Sequence, residues 1–500
     1  MTTRSEITRP GLGHSYAALG SAYFRPTEPT PVAAPHWIAF NDKLALELGL
    51  PEHWQRSADT LAALAGNKCL EGMQPGATVY AGHQFGSYNP QLGDGRALLL
   101  GEWQRADGRR YDIQLKGAGM TPFSRGGDGR SPIGPVVREY LLSEAMHALG
   151  VPTTRALAAV ATGEPVYRQR LEPGGILTRV ASSHLRIGTV QFFAMTQRGE
   201  GLAELVDYAT ERHYPDALEQ AAGQQPRATA AAVLLDAVMR SLVRLVVDWQ
   251  CLGFIHGVLN TDNMLLCGET VDYGPCAFMD AFSGNRVFSS IDQGGRYAFN
   301  NQPGIVHWNL SVLAQCLLPL IDPDQDSAVE TAQGIIDHFP RLFGELYAAR
   351  LASKFGLDAM QEADRPMVDA FFAQLEADNL DFTLAFRWLT EVACNNVANT
   401  PLPDLFTPSS GLNTWLAQWQ QRRQGASDQA TSRMASANPT VIPRNHLVAQ
   451  AIAAAEQGEY AVLERLQARW RAPWQWQADD SVYAAAPRED EQVHRTFCGT

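Results

Sequence analysis

One stretch, residues 254–280, constrains the fold of this chain more than any other, because it holds two groups of potential metal ligands behind a long apolar segment. It reads Phe-Ile-His-Gly-Val-Leu-Asn-Thr-Asp-Asn-Met-Leu-Leu from Phe254 and Val-Asp-Tyr-Gly-Pro from Val271. The amide oxygen of Asn263 and the carboxylate of Asp272 are hard ligands of the kind that Mg²⁺ prefers. The stretch therefore predicts a metal site.

The order of these groups is that of the catalytic and metal loops of kinase-like phosphotransferases. In small-molecule kinases on this plan an Asp base stands five residues before the metal-binding Asn, but here that position holds Val258. The nearest carboxylate is Asp262, directly before Asn263. Either of these two residues alone would be an ordinary turn residue. The ordered set indicates a site that keeps its metal ligands and has displaced its base: His256, Asp262, Asn263, Asp272 and Gly274.

Composition excludes several classes of protein. The chain has 500 residues, of which 45% are hydrophobic and 19% charged, so it can bury a large core in one to three domains. A net charge of −13 argues against nucleic acid or an anionic membrane as the main partner. The seven cysteines form no CxxC pair, which fits a reducing compartment and gives no zinc site. The first residues and the rest of the chain lack a long apolar run, so we expect a cytoplasmic protein.

The pattern along the chain predicts four segments. Residues 1–75 form an extension with one helix at 41–48, and residues 76–190 form a sheet-rich lobe. That lobe has strands at 97–100 and 111–115, a helix at 136–149, and a strand-rich part at 156–180 with a turn at 173–175. Residues 191–405 are a helical lobe, and residues 406–500 are a C-terminal extension.

Helices are predicted in the second half at residues 228–250, 308–320, 328–355, 365–377, 381–396 and 446–468. Residues 424–438 are polar and predict a mobile linker. A nucleotide between the sheet-rich and helical lobes is the economical arrangement, because clefts between lobes are usual binding sites.

Lys116 ends a strand and precedes a helix that carries Glu139. A lysine on a central strand, paired with a glutamate on the next helix, orients phosphates in kinases. Glu144 is the competing partner, but its spacing from Glu139 puts it on another face of the helix. A lone lysine at a strand end is usually a surface residue, and the metal loop downstream favours the functional interpretation.

Two glycine-rich loops could hold phosphates, because backbone N–H groups approach an anion closely where no Cβ intervenes. Gly93, Gly95 and Arg96 form the first, although a plain hairpin turn explains it equally well. Asp128 and Gly129 belong to the second. Arg179 and Arg186, on or near a strand edge, suit a polyphosphate because guanidinium groups bind phosphate through two hydrogen bonds, or they form surface ion pairs.

A missing base and a surplus of phosphate-binding groups suggest one arrangement. They suit a nucleotide held in a reversed pose, which presents its α-phosphate rather than its γ-phosphate to the acceptor. Spacing and composition alone leave this open.

The chain resembles the selenoprotein O family of pseudokinases, known in bacteria as YdiU proteins. The similarity starts at His-Ser-Tyr-Ala-Ala-Leu (14–19) and includes Tyr-Ala-Gly-His-Gln-Phe-Gly (80–86), Gln-Leu-Gly-Asp-Gly-Arg (91–96) and Gln-Leu-Lys-Gly-Ala-Gly (114–119). Further blocks lie at 127–130, 138–139, 151–155, 177–184, 256–264, 272–275, 295–297, 301–303, 308–310, 438–439 and 442–446. So many blocks in one order are a specific signature that spans nearly the whole chain.

The resemblance implies an α+β, bilobal protein-kinase-like fold with a β-rich N-lobe, a helical C-lobe and N- and C-terminal extensions. It implies protein AMPylation, in which AMP from ATP is transferred to Ser, Thr or Tyr hydroxyls of other proteins. The implied roles are a proton acceptor (Asp262), metal ligands for Mg²⁺ or Mn²⁺ (Asn263 and Asp272) and an ion pair that orients phosphates (Lys116 with Glu139). The inverted ATP would be held by Gly93, Gly95, Arg96, Lys116, Asp128, Gly129, Arg179, Arg186 and Asp272. We expect a monomer.

The chain departs from the pattern of this family at two places. Residues 131–135 read Ser-Pro-Ile-Gly-Pro, where many relatives have an arginine-containing run. Cys498 stands where some members carry selenocysteine, and no nearby cysteine completes a redox pair. A regulatory role for Cys498 would need a distant partner, and a tail cysteine without a role is the alternative.

Three functions fit the sequence. The first is an adenylyltransferase acting on protein hydroxyls, and the second is a γ-phosphoryl kinase in which Asp262 replaces the lost base. The third is a nucleotide-binding scaffold without turnover. Retention of Lys116, Asn263 and Asp272 together argues against the scaffold, which has no need of a complete metal set.

Overall fold

Antiparallel strands make up most of the regular structure before residue 182. The computed structural model describes residues 11–196, 199–223 and 228–496, so Cys498 and the role predicted for it lie outside the described residues. The strands are β1 (Gly11–Gly13), β2 (Phe24–Pro26), β3 (His36–Phe40), β4 (Gly76–Thr78), β5 (Gly82–Gln84), β6 (Ser87–Asn89), β7 (Ala97–Gln104), β8 (Arg110–Lys116), β9 (Ser131–Pro132), β10 (Arg155–Tyr167), β11 (Leu171–Ala181), β12 (Phe254–Ile255) and β13 (Ala277–Phe278).

The main sheet has the strand order β2-β4-β7-β8-β11-β10-β3, with β1 also beside β7 and β9 also beside β11. The first 75 residues therefore supply strands at both edges of the sheet. In the centre, Lys116 on β8 lies opposite Ala97 on β7 and opposite Leu177 on β11. This register puts Lys116 at the end of a central strand, as its position in the sequence predicts.

Helices in the described part of the chain are few before residue 187 and dominate after it. They are α1 (Asp42–Leu48), α2 (Ala58–Leu64), α3 (Ile133–Ala148), α4 (Ile187–Met195), α5 (Gly199–His213), α6 (Pro215–Ala222), α7 (Ala230–Leu252), α8 (Gln302–Ile321), α9 (Gln325–Ile336), α10 (His338–Phe355), α11 (Arg365–Ala377), α12 (Phe382–Ala393), α13 (Leu402–Leu405), α14 (Ser410–Arg422), α15 (Asp428–Ala437), α16 (Asn445–Glu456), α17 (Ala461–Trp470) and α18 (Asp480–Ala484). The fold is thus mixed α/β, with a sheet in its N-terminal region and helices in its C-terminal region.

Helix α7 is the centre of the helical region. Its first turn is capped by the Thr229 hydroxyl, which accepts a hydrogen bond from the Ala232 N–H. It ends at Gly253, whose φ of 69° is the left-handed conformation that glycine adopts without strain. The helix packs against α5, α8, α9 and α10, which explains why most of its side chains are apolar.

One helical stretch in the described part of the chain, Phe299–Ile321, is long and apolar enough to cross a membrane by length and composition, with a mean hydropathy of 1.5. Most of this stretch is α8, which packs against α4, α7 and α9. Asn309, fully buried on α8, donates a hydrogen bond of 2.9 Å to the Leu259 carbonyl. A helix packed on several sides by protein has the same apolar composition as a membrane span.

The predicted turn at residues 173–175 is wrong. The turn lies at residues 168–170, and Pro173 pairs with Pro165 within the β10–β11 ladder. Gly174 and Gly175 lie inside β11 because the chain passes close to it there: a Cβ on Gly174 would lie 2.5 Å from the Thr162 hydroxyl oxygen. These glycines mark a close approach of strands rather than a reversal of direction.

The helix predicted at 328–355 is two helices that meet at Asp337. Pro340 has no N–H to bond to the carbonyl of Ile336, so the helix cannot continue through this point. The helix predicted at 446–468 is likewise divided into α16 and α17, around Gly458 at a φ of 81°.

The predicted mobile linker at 424–438 is also wrong, since most of it is helix α15. Ser427 caps the helix by accepting a hydrogen bond from the Ala430 N–H. Ala430 and Met434, one turn apart, are fully buried where α15 packs against α10 and α12. Two apolar residues at helical spacing give this otherwise polar helix a buried face. The helix predicted at 365–377 is confirmed as α11.

Candidate active site

The loop between β12 and β13 carries the residues that the sequence singled out. The two short strands pair, with Phe254 opposite Phe278, and this closes the loop at its base. Gly257 has a φ of 83°, and a Cβ there would lie 2.9 Å from the Pro275 carbonyl oxygen. The motif therefore needs glycine at this position because the two halves of the loop touch.

His256 supports the loop from inside the protein. Its Nε2 atom hydrogen-bonds the Val271 carbonyl at 2.9 Å, and burial lowers its pKa, so the ring is held neutral. The ring ties residue 271 to the first half of the loop and does not line the cleft. The histidine of the motif is thus a structural residue.

Val258 lies buried where a kinase would have its base. Its carbonyl accepts a hydrogen bond of 3.0 Å from the Asn263 side-chain nitrogen. This bond fixes the amide of Asn263 and leaves the amide oxygen available as a ligand.

Asp262 stands in a short 3₁₀ turn, Thr261–Asn263, and is 7% exposed. The Gln84 side-chain nitrogen donates to Oδ2 at 3.3 Å, and Oδ1 has no hydrogen-bond partner among the described residues. Burial raises the pKa of Asp262 to about 6, although the Arg186 guanidinium acts in the opposite direction. The displaced carboxylate thus has one oxygen anchored and one free.

Asp272 follows in a strained backbone conformation, with a φ of 67°. Lys116 Nζ lies 3.0 Å and the Arg179 guanidinium 3.5 Å from Oδ1. Burial alone would raise the pKa of Asp272, but these two positive charges outweigh it and lower the pKa far below its ordinary value. The carboxylate is therefore ionised, as a metal ligand must be.

The Lys116–Glu139 ion pair is present, with Nζ 2.7 Å from the carboxylate oxygen. Glu144 points elsewhere and binds Arg155 at 2.8 Å. Arg179 also contacts the Glu139 carboxylate. Glu139 thus pairs with both Lys116 and Arg179, and each of these two cations also pairs with Asp272.

The predicted position of Arg179 at a strand edge is wrong. It lies inside the sheet on β11, opposite Gln114 of β8 and Ala156 of β10, and is 3% exposed. The sequence shows which residues form a strand but not which strands lie on either side of it.

Arg186 lies just beyond β11, at the start of α4. Its guanidinium stacks on the Tyr80 ring at 4.4 Å and donates a hydrogen bond to the backbone carbonyl of Asp262. It also lies 3.8 Å from the carboxylate of Asp94. Arg186 therefore links the first glycine-rich loop to the turn at Thr261–Asn263.

The two glycine-rich loops pack on each other. The Thr121 hydroxyl donates to the Asp94 carbonyl at 2.6 Å, and the Ser124 hydroxyl donates to the Gly95 carbonyl at 2.5 Å. The Asp94 carboxylate, an unexpected neighbour for a phosphate, accepts bonds from the Thr78 N–H and hydroxyl at 3.1 and 2.6 Å. The Asp94 carboxylate therefore stabilises the loop through these hydrogen bonds. The glycines of the loop, Gly93 and Gly95, remain available to a ligand in the cleft.

The Arg168 guanidinium forms a bidentate ion pair with the Asp128 carboxylate through two hydrogen bonds of 2.9 Å each. Arg168 lies in the turn between β10 and β11. It also donates a bond of 2.8 Å to the Arg130 carbonyl, so it fastens the second loop to the sheet. The sequence analysis missed Arg168, because an arginine in a turn carries no motif signal.

These elements enclose a cleft of about 480 Å³. Of the residues predicted for the site, His256, Gly274 and Glu139 do not line this cleft; the lining includes Gly93, Gly95, Arg96, Lys116, Asp128, Gly129, Arg179, Arg186, Asp262, Asn263 and Asp272. Sequence reasoning gave no role to Tyr80, Phe123, Arg125 and Arg168, which also line it, as does Arg130 of the second loop. Basic side chains outnumber carboxylates on this lining, which suits a polyphosphate ligand.

The donor atoms fit a magnesium ion that shares its shell with phosphates. Asn263 supplies a neutral oxygen and Asp272 an ionised one, and both line the same cleft. The described residues contain no cluster of three or more His, Cys, Asp or Glu side chains that could hold a metal alone. Mg²⁺ typically binds through one or two protein carboxylates or amides plus substrate phosphates, so this pair is sufficient.

A cleft lined by arginines and by a lysine that pairs with a buried glutamate, with two oxygen-bearing side chains suited to a metal, has the character of a polyphosphate-binding site. The chain matches the family model described as "Protein adenylyltransferase SelO" over residues 12–471, and it belongs to this family of nucleotidyltransferases.

Curated relatives extend the similarity over the whole chain. The "Protein nucleotidyltransferase YdiU" of Rhizobium etli is 48% identical over 508 residues, which cover 100% of both chains. The protein of the same name from a Bradyrhizobium strain is 50% identical over 491 residues, 97% of this chain and 98% of the relative.

Proposed function

We propose that this protein transfers AMP from ATP to Ser, Thr or Tyr hydroxyls of other proteins and releases pyrophosphate. The observation that carries the proposal is the displaced carboxylate. Val258 occupies the usual place of a kinase base, and the cleft is lined instead by Asp262, whose buried Oδ1 atom has no hydrogen-bond partner among the described residues. The names of the family and of the relatives support the same reaction.

In this proposal Asp262 accepts the proton of the acceptor hydroxyl. The hydroxyl oxygen then forms a bond to the α-phosphorus, the bond between that phosphorus and the bridging oxygen breaks, and pyrophosphate leaves. Gln84 donates a hydrogen bond to one carboxylate oxygen of Asp262 and so would fix the orientation of the carboxylate for this task.

ATP would bind in an inverted pose, with its phosphates among the arginines of the sheet. Lys116 and Arg179, both held by Glu139, would contact phosphate oxygens together with Arg186. The backbones of Gly93, Gly95 and Gly129 would approach the nucleotide closely, and Arg96 and Asp128 would complete the wall. Charge stabilisation by such fixed groups is usually the largest part of phosphoryl-group catalysis.

Asn263 and Asp272 would hold Mg²⁺, or Mn²⁺, which the same oxygen ligands accept. When bound, the ion would offset the negative charge that develops on the phosphates.

The Lys116–Glu139 pair and the order of the loops support a protein-kinase-like fold. Its lobes would be residues 76–190 and 191–405, flanked by extensions at 1–75 and 406–500. We also propose that the protein is a cytoplasmic monomer.

The decisive experiment uses ATP labelled at either the α- or the γ-phosphate. The purified protein is incubated with Mg²⁺, a cell extract and one of the two labels. Label on protein from the α-phosphate only is the expected result. Label from the γ-phosphate only would mean a kinase with a displaced base, and no label from either would favour a scaffold.

Two variants locate the activity. Asp262→Asn should lower α-label transfer by about 100-fold or more, because it removes the proton acceptor, and should leave ATP binding intact. Asp272→Ala should abolish transfer by removing a metal ligand. Asp326→Ala, at an exposed position on α9, is the matched control and should transfer normally. Normal transfer by Asp272→Ala would disprove the metal-site assignment.

A further inference from the structure

The hairpin formed by β5 and β6 lies against the catalytic turn but outside the nucleotide cleft. The sequence Tyr-Ala-Gly-His-Gln-Phe-Gly (80–86) leads from Tyr80, which lines the cleft, into the hairpin, whose own role is not explained by nucleotide binding. Three successive hairpin residues bond three successive residues of the catalytic loop. The bonds are His83 N–H to Thr261 hydroxyl (2.7 Å), Gln84 side-chain N–H to Asp262 (3.3 Å) and Phe85 N–H to the Asn260 side chain (3.1 Å).

A second segment joins this contact. The Tyr297 hydroxyl donates to the Asn260 side-chain oxygen at 2.6 Å and accepts from the Phe85 N–H at 3.2 Å. Tyr297 therefore fastens its neighbour, Arg296, beside the hairpin. The segment and the hairpin together form one surface next to Asp262.

Arg296 is held in place by rings rather than by charges. Its guanidinium lies over the Trp308 ring at 4.9 Å and over the Tyr297 ring at 5.8 Å. Among the described residues it has no carboxylate within ion-pair distance, and its buried Nε atom has no hydrogen-bond partner. In a chain with a net charge of −13, an arginine without an ion-pair partner next to the hairpin that holds Asp262 is unusual.

The tip of the hairpin is open to solvent. Gly86, Ser87 and Tyr88 are exposed, and Tyr88 is the exposed aromatic residue of the hairpin, at 38%. The His83 ring lies 5.1 Å from the Tyr88 ring and 5.2 Å from the Trp308 ring, so the aromatic groups are contiguous. Rigid aromatic groups around an arginine are the residue types enriched where proteins bind each other.

We propose that this hairpin surface, formed by residues 83–88, 296 and 308, receives the acceptor protein and favours acceptors with an Asp or Glu close to the modified hydroxyl. The inference rests on the proposed function and adds the recognition of the acceptor to it. Arg296, preoriented by stacking, pairs with the carboxylate of the acceptor through its free N–H groups. The hydroxyl then reaches Asp262, which the same hairpin holds.

The test uses two pools of synthetic peptides that carry one Ser, Thr or Tyr at a fixed central position. The first pool has Asp or Glu at the flanking positions, and the second has Asn or Gln there. Wild-type protein should label the acidic pool with α-labelled ATP at least tenfold more efficiently, measured as kcat/KM. Arg296→Glu should abolish this preference and leave the KM for ATP unchanged.

Arg341→Glu, at an exposed position of α10, changes the net charge by the same amount and should keep the wild-type preference. Equal labelling of both pools by wild-type protein would overturn the inference, as would labelling of neither pool while extract proteins are labelled. If wild-type protein transferred no α-label to any protein in the extract, the proposed function itself would instead be refuted.

Discussion

Asp262 depends on a residue that contributes no chemistry of its own. Its free oxygen, Oδ1, packs against Gly82, where a Cβ atom would lie 2.5 Å from it. Gly82 has no positive φ, so its role is to leave space rather than to allow an unusual backbone. The position of the carboxylate is therefore set by a missing side chain on β5 and by the amide of Gln84 two residues later.

The variant Gly82→Ala should lower kcat for AMP transfer about 10- to 100-fold, because a shift of the carboxylate by about 1 Å misaligns it with the hydroxyl. The dissociation constant for ATP should stay unchanged. Gly294→Ala is the control, since no atom lies within 4 Å of the added Cβ there and its φ is not positive. Unchanged kcat in Gly82→Ala would mean that Asp262 is not the proton acceptor or tolerates displacement.

At the scale of elements, the turn that carries Asp262 is a junction of several segments. The hairpin, the start of α4 and the 295–297 segment all bond to residues 260–262. Helix α15, far from this junction, shows how little apolar surface docks an element. Its polar composition suggested a linker, yet Met434 is fully buried.

Met434→Ala should lower the free energy of unfolding by about 2 to 5 kcal/mol, because it removes a buried side chain and leaves a cavity between α15 and α10. Urea unfolding followed by circular dichroism measures this value. Gln429→Ala, at an exposed position of the same helix, should change it little. Equal small effects of both substitutions would mean that α15 does not dock and that the segment is a linker.

At the scale of the whole molecule, the C-terminal segment links the two regions of the fold. Helices α16 and α17 pack on α3, which lies on the sheet and carries Glu139. The helical core also encloses Lys354, which is 2% exposed and bonds the Asn438 side chain at 2.9 Å over the Phe386 ring. Burial lowers the pKa of Lys354 to about 7.

This burial makes the stability of the protein depend on pH. Between pH of about 7 and about 10.4, the unfolded chain binds a proton at Lys354 that the folded chain does not bind, so stability rises with pH. Below about pH 7, Lys354 is charged in both the folded and the unfolded chain, and the full cost of burying that charge lowers the stability. The cost shrinks as the pH rises and is gone at about pH 10.4, the pKa of lysine in the unfolded chain. Relative to Lys354→Met, wild-type stability should therefore increase by about 2 kcal/mol from pH 7.5 to pH 9.5.

Urea unfolding of both proteins at the two pH values measures the difference. Lys43→Met, which removes an exposed lysine on α1, is the control for loss of one charge. A constant gap between wild type and Lys354→Met at both pH values would show that Lys354 stays charged inside the fold.

Local signals were enough to predict much of the fold and most of the cleft. Helices such as α11 and α7 could be recognised because apolar spacing and capping residues are local. The site residues could be recognised because the order His256, Asn263, Asp272 and the pair Lys116 and Glu139 appear along the chain itself. The breaks at Asp337 and Gly458 were missed because an apolar pattern continues through them.

The sequence by itself determined the identity and order of the groups: a metal pair, a displaced carboxylate and a surplus of arginines. Only the tertiary structure decided which of them meet. Gln84 and Asp262 are separated by 178 residues, and Arg179 and Asp272 by 93. No periodicity or spacing records such contacts, because they depend on which strands pair and which loops pack together. For the same reason, only the folded molecule shows that Arg179 is buried inside the sheet against Glu139. The contacts of Arg168 and Arg296 could likewise not be predicted from the sequence.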